Sequence, residues 1–245
     1  MKIPNKAYLD GDIIAYRSAF WAEANNPDYL INKIQETVFH WTPLDSSVII
    51  ALSCPRKENF RREIWPAYKS NRIEAYRPEY LDEAKDILQD LYKHKILPHL
   101  EADDVMGIYA SSGKGIAVTI DKDLKGVRGW HYNPVKDDEP VYISKKQAHR
   151  FFCQQWMSGD STDGIPGLWR IGPKKADKFL SQWDKKDWIK EILALYETEK
   201  YCPKNTCDLA HPHLAIAMAR CVKILEKSNF NLRTKEIKHW IPKVG

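Results

Sequence analysis

Several carboxylates in this 245-residue chain stand where side chains can do chemistry together. Asp10 and Asp12 flank a glycine after the apolar run Ala7-Tyr8-Leu9, and Glu101, Asp103 and Asp104 follow Ile96-Leu97-Pro98-His99-Leu100. Asp121 and Asp123 close the run Ile116 to Ile120, and Asp160 and Asp163 lie one helical turn apart. Crowded carboxylates repel and push some of their number toward the protonated form, a conflict that divalent cations remove. An all-oxygen set without His or Cys favours Mg²⁺ or Mn²⁺ over zinc. Two such ions roughly 4 Å apart activate water and stabilise the leaving oxygen of a phosphodiester. Taken singly, Asp103 or Asp104 reads as a helix N-cap, and for Asp12 capping and metal ligation are both open.

The cations form a second constellation. Lys69 and Arg72 lie three apart in Tyr68-Lys69-Ser70-Asn71-Arg72, within a stretch that also holds Arg56, Lys57, Arg61, Arg62 and Arg77. Trp65, Tyr68, Tyr76 and Tyr80 are interleaved with them, a mixture that suits single-stranded nucleic acid, bases on rings and phosphates on cations. Gly172 and Pro173 suit a turn into a helix whose free N–H groups bind phosphate, with Lys174 and Lys175 alongside. The net charge of +5 is a weak pointer. If the carboxylates cluster, however, the rest of the protein is more strongly positive, which suits a polyanion held through metal ions.

These groups need a scaffold. Ser47 to Leu52 and Gly115 to Ile120 are β-branched, nearly continuous apolar runs, as expected of central strands covered on both faces. Ala84, Ile87, Leu88 and Leu91 repeat at helical spacing after Pro78. Alternating strands and helices predict an α/β fold with a parallel sheet, whose ligands gather beyond the carboxyl ends of the strands. From about Lys145 the pattern turns helical, through Phe151 to Met157, Lys174 to Trp183, Trp188 to Tyr196 and Leu214 to Leu225. We therefore expect an α/β domain over residues 1–150 and a helical domain over 151–245. No apolar run is long enough to span a membrane or to lead a secretory signal, so a cytoplasmic protein is expected. The five cysteines are irregularly spaced and read as reduced thiols. His211 and His213 read as a polar helix entry rather than a metal pair.

With these pieces assembled, the chain resembles the 5′ nuclease (flap endonuclease) superfamily, and within it the 5′-to-3′ exonucleases of T-seven-like bacteriophages. The resemblance is carried by Leu9-Asp10-Gly11-Asp12, Tyr68 to Arg72, Glu101-Ala102-Asp103-Asp104-Val105-Met106-Gly107, Ile120-Asp121-Lys122-Asp123, and Gly159 to Ala176. It implies a PIN-like core with a short helical arch near 56–96, then a helix-three-turn-helix motif near 159–183. It implies a first ion served by Asp10, Glu101, Asp103 and Asp104 and a second by Asp121, Asp123, Asp160 and Asp163. Lys69 and Arg72 would clamp the scissile phosphate, and Tyr68, Arg170, Gly172, Lys174 and Lys175 would bind DNA, with a K⁺ held by the hairpin carbonyls. The implied activity is 5′-to-3′ exonucleolytic hydrolysis of duplex DNA, with flap cutting and RNA–DNA hybrid cleavage as extensions. The implied setting is phage replication, recombination or primer removal by a monomer, with a polymerase or single-strand-binding protein as candidate partner.

The sequence departs from that pattern twice. Leu52-Ser53-Cys54-Pro55 lacks the acidic residue often found after the second strand, and Arg170 stands where many relatives have Gly. The 32 residues from Lys69 to Glu101 leave room for two short arch helices at most, which favours entry of a free 5′ end over selection of flaps. Two rival readings compete. A haloacid-dehalogenase-type phosphatase would use Asp10 as nucleophile and Asp12 as acid, and a catalytically silent reader of DNA structure would keep the fold alone.

Overall fold

The computed structural model describes residues 2–72, 76–203 and 211–242. Cys207 lies outside them; Cys54, Cys153, Cys202 and Cys221 are free thiols. In chain order the first elements are β1 (Lys6–Asp10), α1 (Gly11–Ala24), α2 (Leu30–Trp41), β2 (Ser47–Leu52), α3 (Phe60–Ile64), α4 (Leu81–Leu91) and β3 (His94–Ile96). Next come α5 (Ala102–Ser111), β4 (Ile116–Val118), β5 (Gly129–Tyr132), β6 (Val141–Ile143) and α6 (Lys145–Ser158). The chain ends with β7 (Gly159–Asp160), β8 (Ile165–Pro166), α7 (Pro173–Gln182), α8 (Trp188–Glu197) and α9 (His211–Val222). Among the described residues no helix is long and apolar enough to cross a membrane.

The elements divide into two compact units, one of Met1–Asn59, Tyr76–Lys145 and Ile224–Lys238, the other of Phe60–Ala75, Lys146–Lys223 and His239–Gly245. The change of unit at Lys145 lies near the expected boundary at 150. The sequence gives no sign that residues 60–75 join the helical unit, or that 224–238 return to the sheet unit.

In the first unit six strands form one sheet of order β3-β2-β1-β4-β5-β6. β1 to β5 run parallel and β6 antiparallel. β1 is central, its Leu9 level with Ile50 of β2 and Val118 of β4. All three side chains are buried together with Ile14 of α1, Ile34 of α2, and Ala84 and Leu88 of α4. The opposite face carries Tyr8 stacked on Tyr109 of α5, and covering on both faces explains why the strands read as unbroken apolar runs.

An arch was expected near 56–96, and the α-helices of that stretch are α3 and α4. Part of that stretch belongs to the sheet unit: Ala84 and Leu88 are fully buried on α4, and β3 pairs with β2.

Gly11 shows how tightly the first helix is set on the sheet. A Cβ there would lie 2.4 Å from Ile50 Cγ2 and 2.8 Å from the Ala51 carbonyl oxygen. The glycine between the two aspartates thus serves packing, and it brings the α1 N-terminus against the end of β2. Gly11→Ala is expected to cost about 1–3 kcal/mol through overpacking, read as a lower urea midpoint with unchanged slope.

The second unit is helical, as expected, around Trp156, Tyr196, Met218 and Leu180. Between α6 and α7 the chain makes a minimal antiparallel ladder, Gly159 with Pro166 and Asp160 with Ile165. Two backbones touch there: a Cβ on Gly159 would meet Gly167 N at 2.2 Å, and Gly159 itself has φ 66°. Arg61 of α3 is buried, and donates to the C-terminal carbonyls of α9 at Cys221 (2.9 Å) and Lys223 (2.9 Å). It thereby satisfies helix-end acceptors that would otherwise be orphaned.

Candidate active site

At the carboxyl end of the central strands of the first unit, backbone and hydroxyl groups hold the carboxylates in register. Asp10 ends β1, is 2% exposed, and caps α1 by accepting the Ile13 N–H at Oδ1 (3.1 Å). Its other oxygen accepts the Thr119 hydroxyl (2.8 Å), and Thr119 Oγ in turn accepts the Asp121 N–H (3.0 Å). Asp121 Oδ1 closes the next turn by accepting the Asp123 N–H (2.8 Å). Thr119, two residues before Asp121, therefore links the two strand ends.

Asp12 is not the cap of α1; Asp10 does that work. Instead Asp12 Oδ2 accepts the Ser53 N–H (3.1 Å), and the Lys85 ammonium of α4 lies 2.7 Å from Oδ1. Ser53, noted from sequence only as a missing acid, is a junction, since its hydroxyl also accepts the Ala102 N–H at the start of α5 (3.0 Å).

α5 opens with a capping box of Glu101 and Asp104. Asp104 is fully buried; Oδ2 accepts the Glu101 N–H (3.2 Å) and Oδ1 the Leu225 N–H (2.9 Å). Its oxygens thus anchor α5 to the returning segment, while Glu101 and Asp103 are half-buried.

The electrostatics of this group are strained in the metal-free protein. Burial, with the like charges of Asp12 and Asp121, pushes the Asp10 carboxyl up to about 7 against the opposing bonds from Ile13 and Thr119. Burial and the field of Glu101, Glu58, Asp104 and Asp12 push the Cys54 thiol up to about 11. Among the described residues no three His, Cys, Asp or Glu side chains stand together at ligating distances. The donor set nevertheless fits a hard divalent cation, because a buried carboxyl held protonated by like charges is the conflict such an ion relieves.

In the second unit, residues 65–72 are laced to 160–164. Asp163 pairs with Arg72 Nη2 through Oδ1 and with Lys69 Nζ (3.6 Å) through Oδ2, which also accepts the Tyr68 hydroxyl (3.2 Å). Its carbonyl accepts the Lys69 N–H (2.7 Å), and Lys69 has φ 53°. Asn71 Nδ2 donates to the carbonyls of Ser161 (3.0 Å) and Thr162 (3.2 Å), and Trp65 Nε1 to that of Gly164 (2.9 Å). Asp160 closes the turn by accepting the Thr162 and Asp163 N–H groups. The expected cation pair and acidic pair are therefore brought together through Asp163.

Tyr68 requires a correction. It was expected to stack on bases, but it is 2% exposed in the core of this unit; an aromatic at a helix-like spacing satisfied the core first. Arg170 adopts φ 59°, a conformation for which glycine has no steric cost. It is exposed over the Trp169 ring at 5.8 Å, and Gly172, Lys174 and Lys175 are exposed at the start of α7.

No protein-family model matches the chain. It is 31% identical over 180 residues to DNA polymerase I of Rhizobium leguminosarum, spanning 66% of this chain and 17% of that one. It is 25% identical over 221 residues to the exonuclease of Escherichia phage T7, covering 79% of this chain and 74% of that one. The fold is similar to the T5 5′-exonuclease with divalent zinc bound, at TM-score 0.59, 18% identity and 89% of each chain. A T5 flap endonuclease complex with DNA and metal ions gives TM-score 0.62 at 17% identity, over 89% of this chain and 88% of that one. The chain is similar to the 5′ nucleases of the flap endonuclease family. The chain spans from 17% to 28% of the length of the first three polymerase relatives. The T5 likenesses bear on fold alone, a mainly parallel α/β sheet flanked by helices.

Proposed function

We propose that this protein is a metal-dependent 5′-to-3′ exodeoxyribonuclease that hydrolyses phosphodiesters from 5′ ends of duplex DNA. The observation that carries the proposal is the placement of Asp10 near Asp12 and Asp121 at one sheet end, where burial and their like charges raise the Asp10 carboxyl. The similarity to a phage exonuclease points the same way. Mg²⁺ or Mn²⁺ would be held by Asp10, Glu101, Asp103, Asp121 and Asp123, and when bound would supply charge stabilisation and an activated water.

The chain's own residues then have distinct tasks. Thr119 orients Asp10, Ser53 orients Asp12, and Asp104 fixes the start of α5. Lys69 and Arg72 bind the scissile phosphate, at positions set by Asp163. Asp160 and Asp163, expected to serve a second ion, shape the turn that presents those cations. The segment from α6 to α7 acts as a helix-three-turn-helix grip on the duplex backbone through Arg170, Lys174 and Lys175, with hairpin carbonyls available to K⁺. The 32 residues from Lys69 to Glu101 favour a free 5′ end over flap selection. A phosphatase nucleophile at Asp10 fits poorly, since both its oxygens are buried and already accept hydrogen bonds.

The test is duplex DNA labelled at the 5′ or 3′ end, incubated with Mg²⁺ or EDTA. Metal-dependent release beginning at 5′ ends is expected; binding without cutting would sink the proposal. Lys174→Glu with Lys175→Glu should weaken duplex binding and lower the slope of log affinity against log salt by about one per lost phosphate contact.

A further inference from the structure

Lys85 belongs to none of the motifs so far considered, yet it reaches the carboxylate group of the first unit. It projects from α4, whose Ala84 and Leu88 are fully buried, so its stem extends from a fixed base. Its ammonium lies 2.7 Å from Asp12 Oδ1, with 33% of the lysine side chain and 27% of the aspartate side chain exposed. Asp12 Oδ1 is enclosed, and among the described residues it accepts no aligned hydrogen bond. The contact is therefore electrostatic, and the lone pairs of that oxygen are not filled by a directed donor. Asp12 Oδ2, by contrast, is fixed on the Ser53 N–H. The carboxylate is thus held in place through one oxygen while the other faces only a mobile point charge, since an ammonium on a four-carbon stem has three rotatable donors.

A cation placed this way compensates part of the acidic group without any metal ion. It also competes with one, because both draw on the same oxygen. We propose that Lys85 is a tethered counter-ion of this centre: it holds Asp12 Oδ1 in the metal-free protein and releases it when a divalent cation binds, so that Asp12 joins the ligand set. The inference rests on the reading that the first-unit carboxylates bind such a cation. It assigns Asp12 a ligand role and Lys85 the role of setting the metal affinity.

Titration of the full chain with Mn²⁺, followed by calorimetry and by the loss of the free-ion electron paramagnetic resonance signal, tests both. Lys85→Met is expected to tighten Mn²⁺ binding about three- to fivefold, the effect of removing a half-exposed competing charge. Lys85→Arg should stay near the wild type, and Asp12→Asn should weaken binding at least about tenfold, the loss of one charged ligand. In the Asp12→Asn background, Lys85→Met should change nothing. Unchanged or weaker binding by Lys85→Met and also by Lys85→Gln would overturn the proposal. So would an equal tightening with Asn at position 12, because Lys85 would then act only through the general field. If the wild type binds no Mn²⁺, or Asp10→Asn binds it equally well, the metal reading itself has failed.

Discussion

Asp10→Asn is expected to abolish DNA cleavage, by about 10³-fold or more, and at the same time to stabilise the metal-free protein above pH 7. The two effects share one cause. Asp10 is buried beside Asp12 and Asp121, and its carboxyl is pushed up to about 7, against about 3.9 in an unfolded chain. Between those two values the folded protein holds a proton that the unfolded chain has released, so stability falls as pH rises through the window. The contribution is fully present below about pH 4 and is lost once pH passes about 7. Each pKa unit corresponds to about 1.4 kcal/mol.

Asparagine removes the titration while keeping the local bonds. Its carbonyl oxygen can still accept the Ile13 N–H now taken by Oδ1, and Asn is as good an N-cap as Asp. Its amide can face Thr119, whose hydroxyl rotates to suit. In EDTA at pH 8 the variant should therefore melt above the wild type, and the two curves should converge at pH 4. Mg²⁺ should raise the melting temperature of the wild type by mass action and leave Asp10→Asn nearly unmoved. A variant that melts below the wild type in EDTA at pH 8 would mean that Asp10 is a structural cap first and a site of charge conflict second.

What the sequence made legible was local. Asp10 ends β1 and Asp121 follows β4 by three residues, positions near strand ends that a short-range signal makes legible. The bonds that give those carboxylates their properties are long-range. Thr119 meets Asp10 across 109 positions; Lys85 meets Asp12 only because α1 and α4 pack side by side, which no motif encodes. Tyr68 misled for the opposite reason. A tyrosine among cations looks like a stacking platform, but its ring is worth more in the core, where the hydroxyl still finds Asp163. Residues 60–75 could not be assigned to the helical unit from sequence because buried Arg61 is tied to carbonyls 160 positions away.

The same lacing makes Lys69→Met the second variant with a large expected effect, a fall of about 10²–10³-fold in turnover at saturating DNA, the scale of losing one electrostatic contact to a reacting centre. Duplex affinity should change little, because a phosphate contact near the reacting bond is one among many along the backbone. The fold should survive. The Lys69 N–H to the Asp163 carbonyl, the Asn71 contacts with Ser161 and Thr162, and the buried Tyr68 ring are all retained. Asp163 keeps Arg72 as partner, so the substitution leaves no unpaired buried charge. Turnover and binding must therefore separate: a loss of affinity matching the loss of rate would assign Lys69 to general backbone binding. If instead the variant unfolds at lower urea while keeping its rate per folded molecule, the Lys69–Asp163 pair is a structural clasp and the phosphate is held by other cations.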